Sequence, residues 1–346
     1  GDYGAGADCV GAGYRSDGGG MTRFWLNEQR GTLLALAIFA VMFTLYVTNH
    51  PAGFTPNVVQ TAANKGVLLA LVAIAQTFVV LTAGIDLSVG MIMILANCVA
   101  SYLVVGGLMT TTGGVLAVLL TGVLCGAING AIVIFGRLQP IVATIATGAV
   151  YYGIALWMRP FPGSTPDFNG DLADALTGKV FGIFPASLVF LLGVIVVIWL
   201  PFRRSVLGRA VYATGSSEVA AYMSGVPILR AKMVAYVLSG LLAAVGGLFL
   251  TFFTYSGEAS LANGNTYTLY SIAAVVLGGV SLFGGRGSAV GAIFGALAFR
   301  AIGDLLFVFD LDPLWQPLFQ GIVLMVSVSL GSARLFRVRN RLDLFS

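Results

Sequence analysis

GVLLALVAIAQTFVVLTAGIDLSVGMIMILANCVASYLVV, residues 66–105, decides the fold. Two apolar runs, 66–83 and 88–106, are separated by a short stretch that holds a carboxylate, Asp86, flanked by Gly84 and Gly90. A hydrocarbon layer about 30 Å thick needs about 20 mostly apolar residues of helix to cross it. The runs are continuous and do not alternate apolar with polar, which favours helices over a membrane barrel. Similar runs at 32–49, 114–135, 140–158, 185–201, 233–252, 267–283, 289–306 and 315–331 complete the pattern. The expected fold is all-α, a polytopic transmembrane bundle of about ten spanning helices.

Composition agrees. Hydrophobic residues make up 58% of the 346 and charged residues only 9%, against about 25% charged in soluble domains. Basic residues then orient the bundle, because cytoplasmic loops carry the excess of Lys and Arg. With both termini inside, the cytoplasm receives Arg23, Arg30, Arg137, Arg203, Arg204, Arg209, Arg230, Lys232, Arg286, Arg334, Arg337, Arg339 and Arg341. The outer loops receive Arg159 and Lys179. The net charge of +4 is a topology signal spread over short loops and makes no nucleic-acid patch.

Residues 1–20 are Gly-rich and polar, and are expected to be a disordered or foreign extension; they lack the apolar core of a signal peptide. Residues 21–346 are expected to form a single transmembrane domain. Cys9, Cys98 and Cys125 show neither a disulfide framework nor metal spacing, and the lone His50 has no partner ligand nearby in sequence. No catalytic or metal site is expected: GxxxxGK[ST], HExxH and G-x-S-x-G are all absent. Any use of ATP must come from another chain.

Two loops are long. The outer one, 159–184, is punctuated by Pro and Gly and carries Asp167, Asp171 and Asp174; it reads as a surface cap. The inner one, 202–232, contains a short helix, with Ser216 or Ser217 as N-cap, Glu218 in the first turn and a stop at Gly225 and Pro227. Such a helix can dock in a groove of another protein or lie on lipid.

Polar groups within apolar runs need a reason, since each ionisable one costs about 2.5–3.5 kcal/mol on insertion scales. Asp86 can cap the next helix or line a pathway. Gln76, Asn97 and Asn129 can bond neighbouring helices or meet ligand hydroxyls. Tyr255, Glu258 and Asn263, in TFFTYSGEASLANGNTY (251–267), suit either a polyhydroxylated ligand or a wet loop. Arg300 and Asp304, at i and i+4, are expected to neutralise one another. Glycines at four-residue spacing, Gly122, Gly126, Gly130 and Gly287, Gly291, Gly295, predict close helix crossings.

Three segments resemble one family, the permeases of ATP-binding-cassette importers for simple sugars of the ribose and xylose class. TAGIDLSVG (82–90) is similar to the family's GGIDLSVG signature. Gly208 with the RAVYATGSSEVAAYMSGV that follows it (209–226) is similar to its ATPase-docking loop, and LGGVSLFGGRGSAVGAIFGALAF (277–299) to a glycine-rich stretch near its C-terminal end. GAINGAIV (126–133) and PIVATIATGAVYYG (140–153) extend the resemblance over roughly 30–335. Departures are Thr82-Ala83, Ser216-Ser217 and Val226. The resemblance implies a transporter subunit in a bacterial inner membrane, and not an enzyme. Its implied partners are an ATPase that binds ATP and Mg, a periplasmic sugar-binding protein and a second permease copy or homologue. It also implies ATPase-docking roles for Gly208, Tyr212, Gly215, Ser217, Glu218, Ala221 and Gly225. The alternatives are a permease for branched-chain amino acids or nucleosides, and a secondary transporter working alone.

Overall fold

The computed structural model describes the backbone of residues 18–323, 325–326 and 329, with side chains from residue 30 onward except Pro313. Cys9, residues 1–17 of the expected extension and the basic residues beyond 330 lie outside the described residues. Helix α1 (Gly18–Asn49) begins within the stretch read as an extension. It is followed by α2 (Pro56–Val80), α3 (Val89–Leu103), α4 (Leu108–Phe135) and α5 (Pro140–Met158).

The outer loop folds into α6 (Gly170–Thr177) and a two-stranded hairpin, β1 (Lys179–Val180) with β2 (Phe184–Pro185). One apolar helix continues from α7 (Ala186–Val194) through a π-helical stretch (Ile195–Trp199) to α8 (Leu200–Arg204). The inner loop holds two helices, α9 (Val206–Ser216) and α10 (Glu218–Met223). Then come α11 (Ile228–Thr254), α12 (Leu261–Leu277) and α13 (Ala289–Val308). Residues 316–323 are helical again.

Seven helices among the described residues are long and apolar enough to cross a membrane: α1, α2, α4, α5, the α7–α8 helix, α11 and α13. The expected spans at 88–106 and 267–283 correspond to α3 and α12, which have 15 and 17 residues. The expected span at 315–331 lies partly outside the described residues.

Local signals explain the shifted boundaries. α2 starts ten residues before its apolar run because Thr55 caps it, its hydroxyl accepting from Val58 N, and Pro56 occupies the first turn. α12 starts at Leu261 because the Ser260 hydroxyl accepts from Asn263 N. Asn263 therefore sits on a helix and not in a connecting loop.

α2 is the axis of the molecule. It packs against α3, α11, α12 and α13, and every residue from Gly66 to Val80 is buried. α1 packs on α13 at the periphery and leaves Leu34, Val41 and Leu45 exposed. α4 crosses α11 so closely that a Cβ at Gly122 or Gly126 would overlap the backbone of α11 at Gly240 or Tyr236. Small residues permit that approach, and dispersion contacts rather than hydrophobic expulsion hold such a crossing in lipid.

Candidate functional site

The inner loop is built as a platform with a projecting helix. Most of the residues singled out by the resemblance turn inward and hold the platform. A side chain at Gly208 would strike the Phe202 carbonyl, and one at Gly215 the Leu81 carbonyl. The Tyr212 hydroxyl donates to Gly287 O at 2.7 Å, tying α9 to the glycine-rich 284–287 turn. Ala221 is buried beneath α10. Ser217 caps α10 by accepting from Ala220 N at 3.3 Å, and Gly225 reverses the chain at φ 72°. Glu218 accepts from Lys232 Nζ through both carboxylate oxygens at 2.8 Å, anchoring α10 to α11.

The outward surface belongs to residues to which the sequence reading gave no docking role: Val219, Tyr222 and Met223, exposed by 67%, 77% and 82%. Their spacing (i, i+3, i+4) puts three apolar side chains on one face of a six-residue helix. That spacing was the available signal.

The candidate pathway residues fall into two networks, one buried and one that runs from buried Asn97 out to exposed Tyr255 and Asn263. Around the α2–α3 turn, Asp86 Oδ1 accepts from Ser88 N at 2.9 Å and Ser88 Oγ at 2.6 Å. The Ser88 hydroxyl accepts from Asn129 Nδ2 at 2.7 Å, and Asn129 Oδ1 accepts from the Tyr151 hydroxyl at 3.0 Å. Gln76 clasps the same turn, its amide donating to Asp86 O at 2.9 Å and accepting from Asp86 N at 3.3 Å. Asp86 is fully buried, and burial raises its carboxyl above the ordinary 3.8 despite the Ser88 hydrogen bonds.

On the opposite face, Asn97 Nδ2 donates to Thr251 Oγ1 at 2.8 Å and Ser256 O at 3.1 Å, and its Oδ1 accepts from Glu258 N at 2.9 Å. Asn263 Nδ2 donates to Glu258 Oε1 at 3.0 Å. The Tyr255 hydroxyl bonds the Asp174 carboxylate of α6, and that hydrogen bond, ahead of burial, raises the phenol's pKa. Gln76, Asp86, Asn97 and Asn129 thus bond helix to helix and turn to helix. Tyr255, Glu258 and Asn263 close the α11–α12 connection under the outer cap.

The cap is fastened over this connection. Gln60 and Asn64 of α2 both donate to Thr177 O, at 2.7 and 2.8 Å. The Arg159 guanidinium stacks 3.8 Å above the Tyr102 ring.

The expected Arg300–Asp304 pair is corrected: Asp304 instead takes Lys65 Nζ of α2 at 3.0 Å. A cation placed four residues before an anion is the weaker helical orientation, and α13 packs against α2 on one side and α12 on the other. Asp304 meets the first neighbour, while Arg300 lies near the phenols of Tyr267 and Tyr270 on α12.

Two cavities bracket α2. One of about 320 Å³ is lined by Tyr46, His50, Asn57, Thr61, Lys65 and Asp304. The other, about 470 Å³, lies at the face the basic residues assign to the cytoplasm and includes Thr82, Gly84, Arg137, Glu218, Lys232 and Tyr236. Lys65 and Thr82 stand about 25 Å apart along the chain at about 1.5 Å per helical residue. The α2 segment between them is packed on all sides.

Residues 58–328 match a family described as branched-chain amino acid transport system / permease component. The ribose import permease protein RbsC of Haemophilus influenzae is 32% identical over 308 residues, covering 88% of this chain and 93% of the relative. The ribose import permease of Escherichia coli K12 is 32% identical over 314 residues (89% and 94%). The D-allose transport system permease protein AlsC of the same strain is 30% identical over 309 residues (89% and 92%). No solved structure matches the chain.

Proposed function

We infer the function from one premise: this chain belongs to the family of branched-chain amino acid transport system permease components. It is the multi-pass membrane subunit of an ATP-binding-cassette importer, a transporter component and not an enzyme, and its substrate is a monosaccharide or related polyol. Relatives named for ribose import and D-allose transport support sugar over amino acid.

The observation that carries the mechanism is α10, a short helix anchored to α11 by Glu218–Lys232 and presenting Val219, Tyr222 and Met223 outward. An ATPase subunit, which binds the ATP and Mg, grips this apolar knob. Closure of the ATPase pair pushes α10, and the push passes through the Glu218–Lys232 tie into α11 and through α9 into the 284–287 turn. Tight packing around α2 favours a pathway between two permease copies over one through a single copy. About ten helices cross the bilayer, α3 and α12 among them, with both termini inside. A periplasmic binding protein delivers sugar onto the 159–184 cap. Because that protein sets affinity and ATP sets direction, the permease need not hold sugar tightly.

The test is Tyr222→Glu with Met223→Glu in the full transporter. A charged knob is expected to lower sugar uptake and sugar-stimulated ATP hydrolysis about tenfold or more, the loss of about 1.4 kcal/mol or more of docking energy, with insertion and melting temperature unchanged. Normal uptake by this variant overturns the docking assignment.

A further inference from the structure

The larger cavity contains two polar groups, the Arg137 guanidinium and the Tyr236 hydroxyl, that neither the α10 tether nor the helix packing uses. Arg137 sits at its rim in the α4–α5 turn, at φ 53°, and forms no salt bridge among the described residues. Lys232 and Tyr236 stand one turn apart on α11 and face the same space. Tyr236 is only 1% exposed, yet its hydroxyl has no hydrogen-bond partner. A buried hydroxyl left unpaired costs about 1–3 kcal/mol. The cavity wall beside it is Gly84, which has no side chain to cover the hydroxyl. The volume of about 470 Å³ lies in the range of small-ligand sites.

The charges that line this space are two cations and one carboxylate, Glu218, which already occupies Lys232, and the buried Asp86 carboxyl lies behind the Tyr236 hydroxyl. A planar guanidinium fork, an ammonium and a phenolic donor converging on one space match the several acceptor oxygens of a phosphate better than an uncharged ligand. Leu138 and Leu229 make the apolar part of the lining, and basic pockets between spanning helices at the cytoplasmic surface suit phospholipid head groups.

We propose that this cavity binds a phosphate-bearing anion, held by the Arg137 guanidinium and the Tyr236 hydroxyl, which draws Lys232 away from Glu218. Glu218 opens α10, so occupancy of the cavity loosens the tether between the docking helix and α11. The anion is a regulator of coupling and not the transported solute. The phosphate comes either from an anionic lipid of the inner leaflet or from a soluble phosphate.

The experiment measures the melting temperature of the purified full chain, because a ligand that binds only the folded state raises it. Phosphatidylglycerol is titrated into micelles of an uncharged, phosphate-free glycoside detergent in one arm, and inorganic phosphate in the other, with chloride at equal ionic strength as control. Wild type is expected to be stabilised in at least one arm beyond chloride; the responding arm identifies the source. Arg137→Gln is expected to raise the half-saturating concentration about tenfold, the loss of one charge-assisted hydrogen bond. Tyr236→Phe is expected to melt at the same or a higher temperature without anion, because it removes an unpaired group, and still to weaken the response. That combination separates a ligand contact from a packing role. If neither anion stabilises the wild type beyond chloride, or if both variants respond as wild type does, the proposal is overturned.

Discussion

Lys65 and Asp304 meet at 3.0 Å from helices 239 positions apart in sequence, with the carboxylate side chain 8% exposed and the ammonium side chain 33%. Removing the carboxylate leaves a half-buried ammonium without its counter-charge. Asp304→Leu is therefore expected to cost about 1–3 kcal/mol, and the double variant Lys65→Met/Asp304→Leu, set against the Lys65→Met single, to recover more than half of it. Melting curves of the four proteins of this cycle check the coupling. Asp86 makes the opposite kind of prediction. Its carboxyl is raised by burial, so its contribution favours the fold when protonated, is fully present below the ordinary 3.8, and is lost as pH rises through the higher folded-state value. Asp86→Asn, neutral at every pH, is expected to flatten the part of the stability profile that lies above the ordinary 3.8, as thermal melts at stepped pH would read. Both carboxylates were visible in the sequence as ionisable groups inside or beside apolar runs. Asp86's partner Ser88 lies two positions away and was legible, whereas Lys65 was not, because nothing local links residues so distant.

At the scale of elements, the crossing of α4 on α11 depends on the absence of side chains. A Cβ at Gly240 would overlap the Gly122 carbonyl and press on Gly126, whereas one at Gly113, on the same α4, would meet nothing within 4 Å. Gly240→Val is expected to lower stability by about 1–3 kcal/mol through overpacking and to cut the yield of folded protein. Gly113→Ala is expected to be neutral or slightly stabilising, since alanine is the better helix former. Detergent-solubilised yield and melting temperature measure both. The four-residue glycine spacing marked α4 and α13 as crossing helices from the sequence alone. Which helix each one meets was not marked, because the spacing describes one surface and carries no record of its complement. The same limit applies to α10: its boundaries followed from Ser216 or Ser217, Gly225 and Pro227, but the choice of Ser217 and the inward turn of Gly208, Tyr212, Gly215 and Ala221 depend on the platform beneath them.

At the scale of the molecule, a buried α2 with cavities at both ends predicts a subunit that moves as packed helices driven from outside. In proteoliposomes, sugar uptake is expected to require the partner ATPase and ATP, and a sodium or proton gradient alone is expected to give none; gradient-driven uptake by the lone chain would identify a secondary transporter. Apolar runs and the placement of Lys and Arg determined that the chain is a helical membrane protein, because a bilayer rejects unpaired backbone and charge irrespective of tertiary detail. The order of motifs likewise carried the family before any contact was known. The arrangement of the helices was decided only by the tertiary structure: α1 and α2 are both apolar, yet one lies at the rim and the other at the axis. Lipid is as apolar as a packed helix face, so hydrophobicity cannot tell the two positions apart, and the choice falls to small-residue contacts, interhelical hydrogen bonds and ion pairs between distant segments.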